Sequence, residues 1–498
     1  MKTNTFFKNT MVILFTSFVI KLLGLLNKII ITRLLGIDGM SLYVLTMPTL
    51  ILLTSISSLS LNSVISKLIS ENEVSHQYSN KELLKKSILL SLISSLITIV
   101  ILLIIIKPLT NNLLNNANLF FPILSSIILI PLVGISDALR GYFNGLKNMR
   151  YSSISTLIEQ IFRILSTIIL IIISIKSSVI LSVTFCVIGL AIGEISSIIF
   201  SVIKIKKLIK DDYKANNNET KAILNEAIPT TLSRLVSSFA HFLEPIIYTN
   251  ILLILLYDKA YISETYTTIS AYVIPFITLT SFVSNSVSTS IIPGISENYS
   301  NKNLSKIHYY IDKAIIFALI PGLFSCIIFY LFNKEYLQLL FDTSQGIDII
   351  KYTVLLTIPY YLQMPFTSAL QAMGKNKQVF ILTIILNVMK LLLIVILSII
   401  PMINVYSLIV SLLLIIYIDT IIMYLLIKKY TKYHLNIDNI ISILIIFVFI
   451  FFLTYLLKLI NLHFILITLI SMIITILLSI KFNLLNKNLF KFMKKSPN

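Results

Sequence analysis

Residues 87–106, SILLSLISSLITIVILLIII, run without one charged side chain. Wound as a helix, a block of this length crosses the roughly 30 Å of hydrocarbon in a bilayer. Blocks of this kind recur along the 498 residues, and only 12% of the chain is charged, against about 25% in a soluble domain. A soluble core has no use for twenty apolar residues in a row. Barrel strands would show as short alternating segments instead. The sequence therefore predicts an all-α polytopic membrane protein. About fourteen transmembrane helices are expected, near 10–34, 41–69, 87–108, 118–146, 152–175, 178–203, 226–254, 264–295, 308–332, 346–373, 378–400, 403–427, 438–460 and 462–482.

The cations give an orientation. With loops numbered alternately, one side takes Lys2, Lys8, Lys81, Lys85, Lys86, Lys147 and Arg150. It also takes six lysines between Lys204 and Lys221, then Lys302, Lys306, Lys375, Lys377, Lys428, Lys429 and Lys432. With the five lysines from Lys481 to Lys495 this side carries 25. The other side carries 5, namely Lys107, Lys176, Lys259, Lys334 and Lys458. The split puts both termini in the cytoplasm of a cell membrane. It also accounts for the net charge of +19, so no nucleic-acid partner is expected. The apolar run after Met1–Lys8 passes through Lys21 and Lys28 with no small-residue cleavage site, so the first helix is expected to be retained.

A repeat organises the spans. YVLTMPTLILLTSISSLSLNSVISKLISE (43–71) and YVIPFITLTSFVSNSVSTSIIPGISE (272–297) share an early proline, a Ser/Thr-rich middle and an I-S-E exit. ALRGYFNGLKN (138–148) and ALQAMGKNK (369–377) form a second pair at nearly the same offset, with Gln371 where the first copy has Arg140. Six spans per copy make this a parallel repeat, with a pseudo-two-fold axis along the membrane normal. The expected organisation is an N-lobe at 1–205, a cytoplasmic linker at 206–225, a C-lobe at 226–428, and two further helices with a basic tail at 429–498.

Charges inside the spans are the functional signal, since one at the bilayer centre costs about 2.5–3.5 kcal/mol on insertion scales. Ser17, Lys21, Gly24, Lys28 and Thr32 follow helical spacing, which puts Lys21 and Lys28 on one face. They read either as a cationic wall on a water-filled cavity or as partners in interhelical salt bridges. Asp137 with Arg140, and Glu159 with Arg163, stand three and four apart and suit same-helix ion pairs, as well as roles at a cavity or gate. Arg234 and His241 share a face of the seventh span with Glu244, and His241 reads as a satisfied buried histidine. Glu194 and Asp419 read as lone acids, available to cations or to a coupling ion. Lys390 is central in the eleventh span and faces the same two readings as Lys21. The candidate substrate-binding cations are thus Lys21, Lys28, Arg140, Arg163, Arg234 and Lys390. The candidate gate or coupling acids are Asp137, Glu159, Glu194, Glu244 and Asp419.

A cationic cavity suits an anionic substrate such as a phosphate or pyrophosphate, held by charge-assisted hydrogen bonds. No glycine-rich phosphate loop, nucleophile motif or Cys/His metal spacing is present, so neither an enzyme nor a cofactor or metal is expected. Cys186 and Cys326 both fall in apolar runs and offer no disulfide framework.

KLLGLLNKIIITRLLGIDGMSLY (21–43), PTLILLTSISSLSLNSVISKLISE (48–71), ISDALRGYFNGLKNMRYSSISTLIEQIFR (135–163), AIPTTLSRLVSSFAHFLEPII (227–247) and SVSTSIIPGISENYS (286–300) resemble the stage V sporulation protein B family. That family lies in the polysaccharide-transporter and lipid II flippase branch of the MATE-like superfamily. The resemblance runs from about residue 6 to residue 400. It implies a two-lobed, fourteen-helix flippase working by alternating access. The implied substrate is an undecaprenyl-pyrophosphate-linked saccharide, a peptidoglycan precursor for the spore cortex. Its implied partners are membrane lipid, the lipid-linked anionic saccharide and cell-wall synthases. Lys21 matches a first-helix cavity arginine of the related lipid II flippases, while their eighth-helix arginine has no counterpart near Ser270. Cation-coupled efflux of small molecules, as in other MATE-like proteins, is the alternative.

Overall fold

The computed structural model describes residues 2–208 and 218–485, with side chains described from Thr16 onward apart from Ser17, Phe18 and Val74. Ser17 of the Lys21 stripe, Lys2, Lys8, Lys210, Lys214 and the lysines beyond residue 485 lie outside the residues so described. Among the described residues the chain is helical, with no strand. The helices are α1 (Lys2–Ser58), α2 (Leu61–Ser75), α3 (Asn80–Pro108), α4 (Phe120–Leu124), α5 (Ser126–Gly145), α6 (Met149–Ser174), α7 (Val179–Ile205), α8 (Glu219–Ile254), α9 (Lys259–Thr267) and α10 (Ile274–Ile277). They continue with α11 (Ser281–Ser300), α12 (Leu304–Leu331), α13 (Asn333–Phe341), α14 (Ile347–Thr353), α15 (Tyr360–Ala372), α16 (Asn376–Ile399), α17 (Ser407–Thr431), α18 (Ile437–Leu459) and α19 (Phe464–Lys481).

Ten of the described helical stretches are long and apolar enough to cross a membrane, or eleven if a pair bent by 54° counts as one span. This is a multi-pass helical membrane protein. The difference from about fourteen has local causes. The first two expected spans are two helical stretches within α1 that meet at a kink at Gly36 (φ 64°, ψ −168°) with no loop between them. That backbone, at positive φ and extended ψ, is one that essentially only glycine adopts, and it costs other residues about 1–3 kcal/mol. The seventh span, in α8, is diluted by polar residues such as His241, Glu244 and Asn250 and is not among the stretches apolar enough to qualify. The eighth is the bent pair, Lys259–Ile277 with Ser281–Ser300. The tenth is divided among α14, a 3-10 turn and α15.

Both copies of the Ser/Thr-rich stretch break in their middles. In the first, Leu59 and Ser60 turn left-handed between α1 and α2. In the second, Thr278–Thr280 separates α10 from α11. Hydroxyls close to these breaks bond backbone carbonyls. Ser57 donates to the Ile130 carbonyl at 3.0 Å, and Thr278 to that of Ile274 at 2.7 Å.

Packing divides the chain into two compact units. One is Met1–Thr267 with Leu391–Ser407, and the other is Thr268–Lys390 with Leu408–Asn498. These units group residues by packing, whereas the six-and-six division of the sequence groups them by repeat. In the first unit, small residues let helices meet backbone to backbone. A Cβ added at Gly141 of α5 would stand 2.8 Å from the Leu61 and Asn62 carbonyls of α2. One added at Gly193 of α7 would stand 2.9 Å from the Glu159 carbonyl of α6. The segment at 391–407 is tied in by Tyr248, which donates to the Val405 carbonyl at 2.7 Å, and by Asn404, which donates to Tyr257.

In the second unit, Gly322 of α12 accommodates the Tyr361 ring of α15. The Tyr361 hydroxyl reaches Thr280 at 2.9 Å and the Ile277 carbonyl at 3.1 Å, at the break before α11. Helices α18 and α19 are joined by Thr454 and Ser471 at 3.0 Å. Large apolar side chains such as Leu96, Ile104 and Ile173 are 64%, 72% and 65% exposed. Surface of that kind faces lipid in a membrane protein and would aggregate in water.

Candidate functional site

The close approach of α7 to α6 at Gly193 brings the next residue, Glu194, against the charges of α6. Arg140 of α5 donates through one terminal nitrogen to Glu159 Oε2 at 2.6 Å, Glu194 Oε2 at 3.1 Å and Ser197 Oγ at 3.1 Å. Arg163 bonds Glu159 and stands 3.8 Å from Glu194. Gln160 adds a donor to Glu159 at 3.2 Å. The two glutamate side chains are only 4% and 7% exposed. Two arginines and two glutamates therefore form one neutral, buried network across α5, α6 and α7. Neutrality is what makes such burial tolerable, because removing one partner strands a charge at a cost of about 3–5 kcal/mol.

The network corrects two expectations. No Asp137–Arg140 ion pair forms, because the Arg140 guanidinium turns to the two buried glutamates. Asp137 instead faces Arg234 of α8 at 3.9 Å. Glu194 is not a lone acid, since it meets both arginines. The same-helix Glu159–Arg163 pair does form. Arg234 is loosely held, with its side chain 48% exposed and Ser58 Oγ at 3.4 Å.

His241 is a third correction. Its side chain is 61% exposed, so it is not a buried histidine, and it lies 3.7 Å from the buried Glu244. The reason is the turn of α8, which presents Glu244 inward and His241 outward.

Lys21 and Lys28 lie on the stretch of α1 before the Gly36 break. Lys21 is exposed and Lys28 half-buried. Among the described residues neither has an ion-pair partner. Thr32 bonds the Lys28 carbonyl at 2.8 Å, which leaves the ammonium groups uninvolved. Neighbouring Asn27 is buried, and its side-chain oxygen has no donor.

In the second unit, Lys390 of α16 and Asp419 of α17 line a cavity of about 360 Å³ together with Gln363, Thr367, Thr383 and Asn387. Among the described residues Asp419 forms no ion pair, and its Oδ1 is buried without a hydrogen-bond partner. Among the described residues no group of His, Cys, Asp and Glu could hold a metal ion.

Sequence reasoning missed Ser197, Gln160 and Asn27, and the polar residues around Lys390. The signal was present as amides and hydroxyls inside apolar spans, where an unsatisfied polar group is costly.

Among the described residues, these features define a helical polytopic membrane protein that buries a balanced ion network and gives two lysines of its first helix no counter-ion. The polysaccharide biosynthesis protein family matches residues 6–299, more than half of the chain, and the chain belongs to that family. The MatE family matches residues 240–396. Stage V sporulation protein B of Bacillus subtilis (strain 168) is 26% identical over 384 residues, covering 75% of this chain and 74% of that protein. Sporulation protein YkvU of the same organism is 22% identical over 389 residues, covering 76% and 84%. Among solved structures, the lipid II flippase MurJ in an inward closed conformation gives a TM-score of 0.70 at 16% identity, over 97% of this chain and 100% of that one. An inward-facing MATE multidrug-resistance transporter of the MOP superfamily gives 0.65 at 15% identity, over 83% and 94%. At such identities the likeness is one of fold.

Proposed function

We propose that the protein is a flippase that moves an undecaprenyl-pyrophosphate-linked saccharide, a peptidoglycan precursor for the spore cortex, across the cell membrane by alternating access. The observation that carries the reading is the pair Lys21 and Lys28. These two ammonium groups share a helix face inside a membrane span, and no described residue pairs with them. A pyrophosphate supplies the missing counter-charge through charge-assisted hydrogen bonds. Family membership and the likeness in fold to MurJ, a lipid II flippase, support the substrate class.

Arg234 joins the two lysines as a substrate-facing cation, since half of its side chain is exposed. Arg140 and Arg163 are neutralised by Glu159 and Glu194, and in this reading they hold the shape of the N-lobe. The lobes are taken as 1–205 and 226–428, joined by the linker 206–225 and followed by two helices and a basic tail at 429–498. The 25-to-5 cation split supports cytoplasmic termini. Cell-wall synthases are partners in the sense that the flipped precursor is their substrate.

Purified protein in vesicles, loaded with a fluorescent lipid-pyrophosphate-linked saccharide, tests the proposal. The wild type exposes the label to an external quencher, and failure to do so overturns the reading. The MatE match at 240–396 favours a second reading, cation-coupled efflux of small molecules. The unpaired lysines count against a cationic cargo. Drug susceptibility unchanged on deletion of the protein separates the two.

A further inference from the structure

On the cation-rich side some lysines are balanced by acids. Lys67 pairs with Glu226 at 2.7 Å, and Lys85 with Glu82 at 3.9 Å. The start of α6 and the end of α7, both in the first unit, are different. Lys147 and Arg150 stand at the first, and Lys204, Lys206 and Lys207 at the second. Residues 146–158 and 195–208 contain no acid. Among the described residues none of these five cations has an ion-pair partner.

Two sets of contacts hold the two helix ends together. Ser155 of α6 meets Ser197 of α7 at 2.7 Å and Ser201 at 2.9 Å. One turn further out, the Lys204 ammonium lies 5.9 Å from the Tyr151 ring and 5.7 Å from that of Phe200. Tyr151 follows Arg150 in the chain. The serines and the rings therefore gather like charges of two helices at one end of a helix pair.

Helix electrostatics explains only the lysines of α7, which complement the negative end of its dipole. Lys147 and Arg150 do the opposite, because the start of a helix is its positive end and favours an acid. The first turn of α6 has no acid, and Asn148 makes no side-chain cap. A long helix thus begins with cations, and with no side-chain acceptor from its N-cap residue, where an anion belongs.

The flank of the site says which anion. Ile199 and Ile203 of α7 are 56% and 54% exposed, and four apart they share a helix face. Lys207 follows at the same spacing, just past the helix end. A soluble phosphate would use the cations and leave this apolar face bare. A phospholipid covers both, with its phosphate at Arg150 and Lys204 and its acyl chains along Ile199 and Ile203. A cluster of about four to eight Lys and Arg immediately beyond a membrane helix is the sequence form of an anionic-lipid site.

We infer that the paired ends of α6 and α7 hold the headgroup of one anionic phospholipid. This lipid is a resident of the site and not the cargo, so the inference goes beyond the flippase reading and does not depend on it. Bound there, it offsets the repulsion between the two helix ends and stabilises the fold by linkage.

Native mass spectrometry of the purified full chain tests this, with the protein released from micelles that carry equal amounts of phosphatidylglycerol and phosphatidylcholine. The wild type should retain phosphatidylglycerol in preference. The double variant Arg150→Gln, Lys204→Gln should lose about thirtyfold of that preference, as two lost cations imply. Lys204→Arg keeps the charge and should keep the preference. Lys428→Gln, Lys429→Gln removes two cations from the end of α17 and should leave it unchanged. Phosphatidylglycerol should also raise the melting midpoint of the wild type, and inorganic phosphate at the same concentration should not. Arg150 is exposed, so Arg150→Gln alone carries the test if the double variant folds poorly, with a loss of about fivefold. Three results overturn the inference. Equal retention of the two lipids removes the site. An equal loss in the α17 variant reduces it to the general attraction of a basic surface. Equal stabilisation by inorganic phosphate makes it a free-anion site.

Discussion

Arg140 donates to Glu194 at 3.1 Å across 54 residues of chain, while Asp137, one helical turn away on the same helix, goes to Arg234 of α8. The partner of a membrane charge is thus chosen by which helices are pressed together. Gly193 decides it here, by admitting the α6 backbone beside Glu194. The arrangement converts the charges at the end of the fourth span into two separate devices, a buried neutral network and a half-exposed arginine.

Arg140→Ala is expected to destabilise the folded protein by about 3–5 kcal/mol, because it leaves two buried glutamates with Arg163 as their one remaining cation, and so one buried charge uncompensated. Glu194→Ala should cost a similar amount. The double variant should cost less than the sum by about 0.5–3 kcal/mol, since each partner already pays for the other's loss. Denaturation midpoints in detergent for the four proteins of the cycle check this, and additive losses would show that the two residues do not interact.

Lys21→Ala and Lys28→Ala should behave differently. No described residue depends on either ammonium, so the melting midpoint should stay within the range of ordinary surface changes, about 0.5 kcal/mol. Substrate affinity should fall by about tenfold or more for each lost charge-assisted contact. A variant that loses stability and keeps affinity would return these lysines to a structural role.

Gly141→Val should push α5 away from α2, because its Cβ meets two carbonyls at 2.8 Å. Overpacking of this kind costs about 1–3 kcal/mol. Gly36→Ala meets no atom within 4 Å and should cost only the backbone strain of φ 64°, ψ −168°, about 1–3 kcal/mol. Both variants should therefore lower the thermal midpoint; an unchanged midpoint for Gly141→Val would mean that the α2–α5 contact opens without cost, and one for Gly36→Ala that the α1 break relaxes.

Much of the fold was legible because membrane spans are written in runs of apolar length. The break at Gly36 and the paired breaks in the Ser/Thr-rich stretches fall where the sequence changes character. Kinks and charges were harder to read. Helical spacing says which residues share a face, as it did for Glu159 with Arg163. It does not say which other helix supplies the competing partner, and so Asp137 was matched with the wrong arginine. The burial of His241 was misjudged for the same reason: a seven-residue spacing from Arg234 fixed its face, and that face turned out to be open. The cavity beside Lys390 is made by side chains from four helices, including Gln363 on α15 and Thr278 next to α10, and no local pattern joins them.

The most direct test of the central claim is the transbilayer movement of a lipid-pyrophosphate-linked saccharide by purified protein in vesicles, comparing the wild type with the double variant Lys21→Ala, Lys28→Ala at equal folded amounts. The account predicts movement in the wild type and background rates in the double variant. Movement by the double variant at the wild-type rate would contradict it.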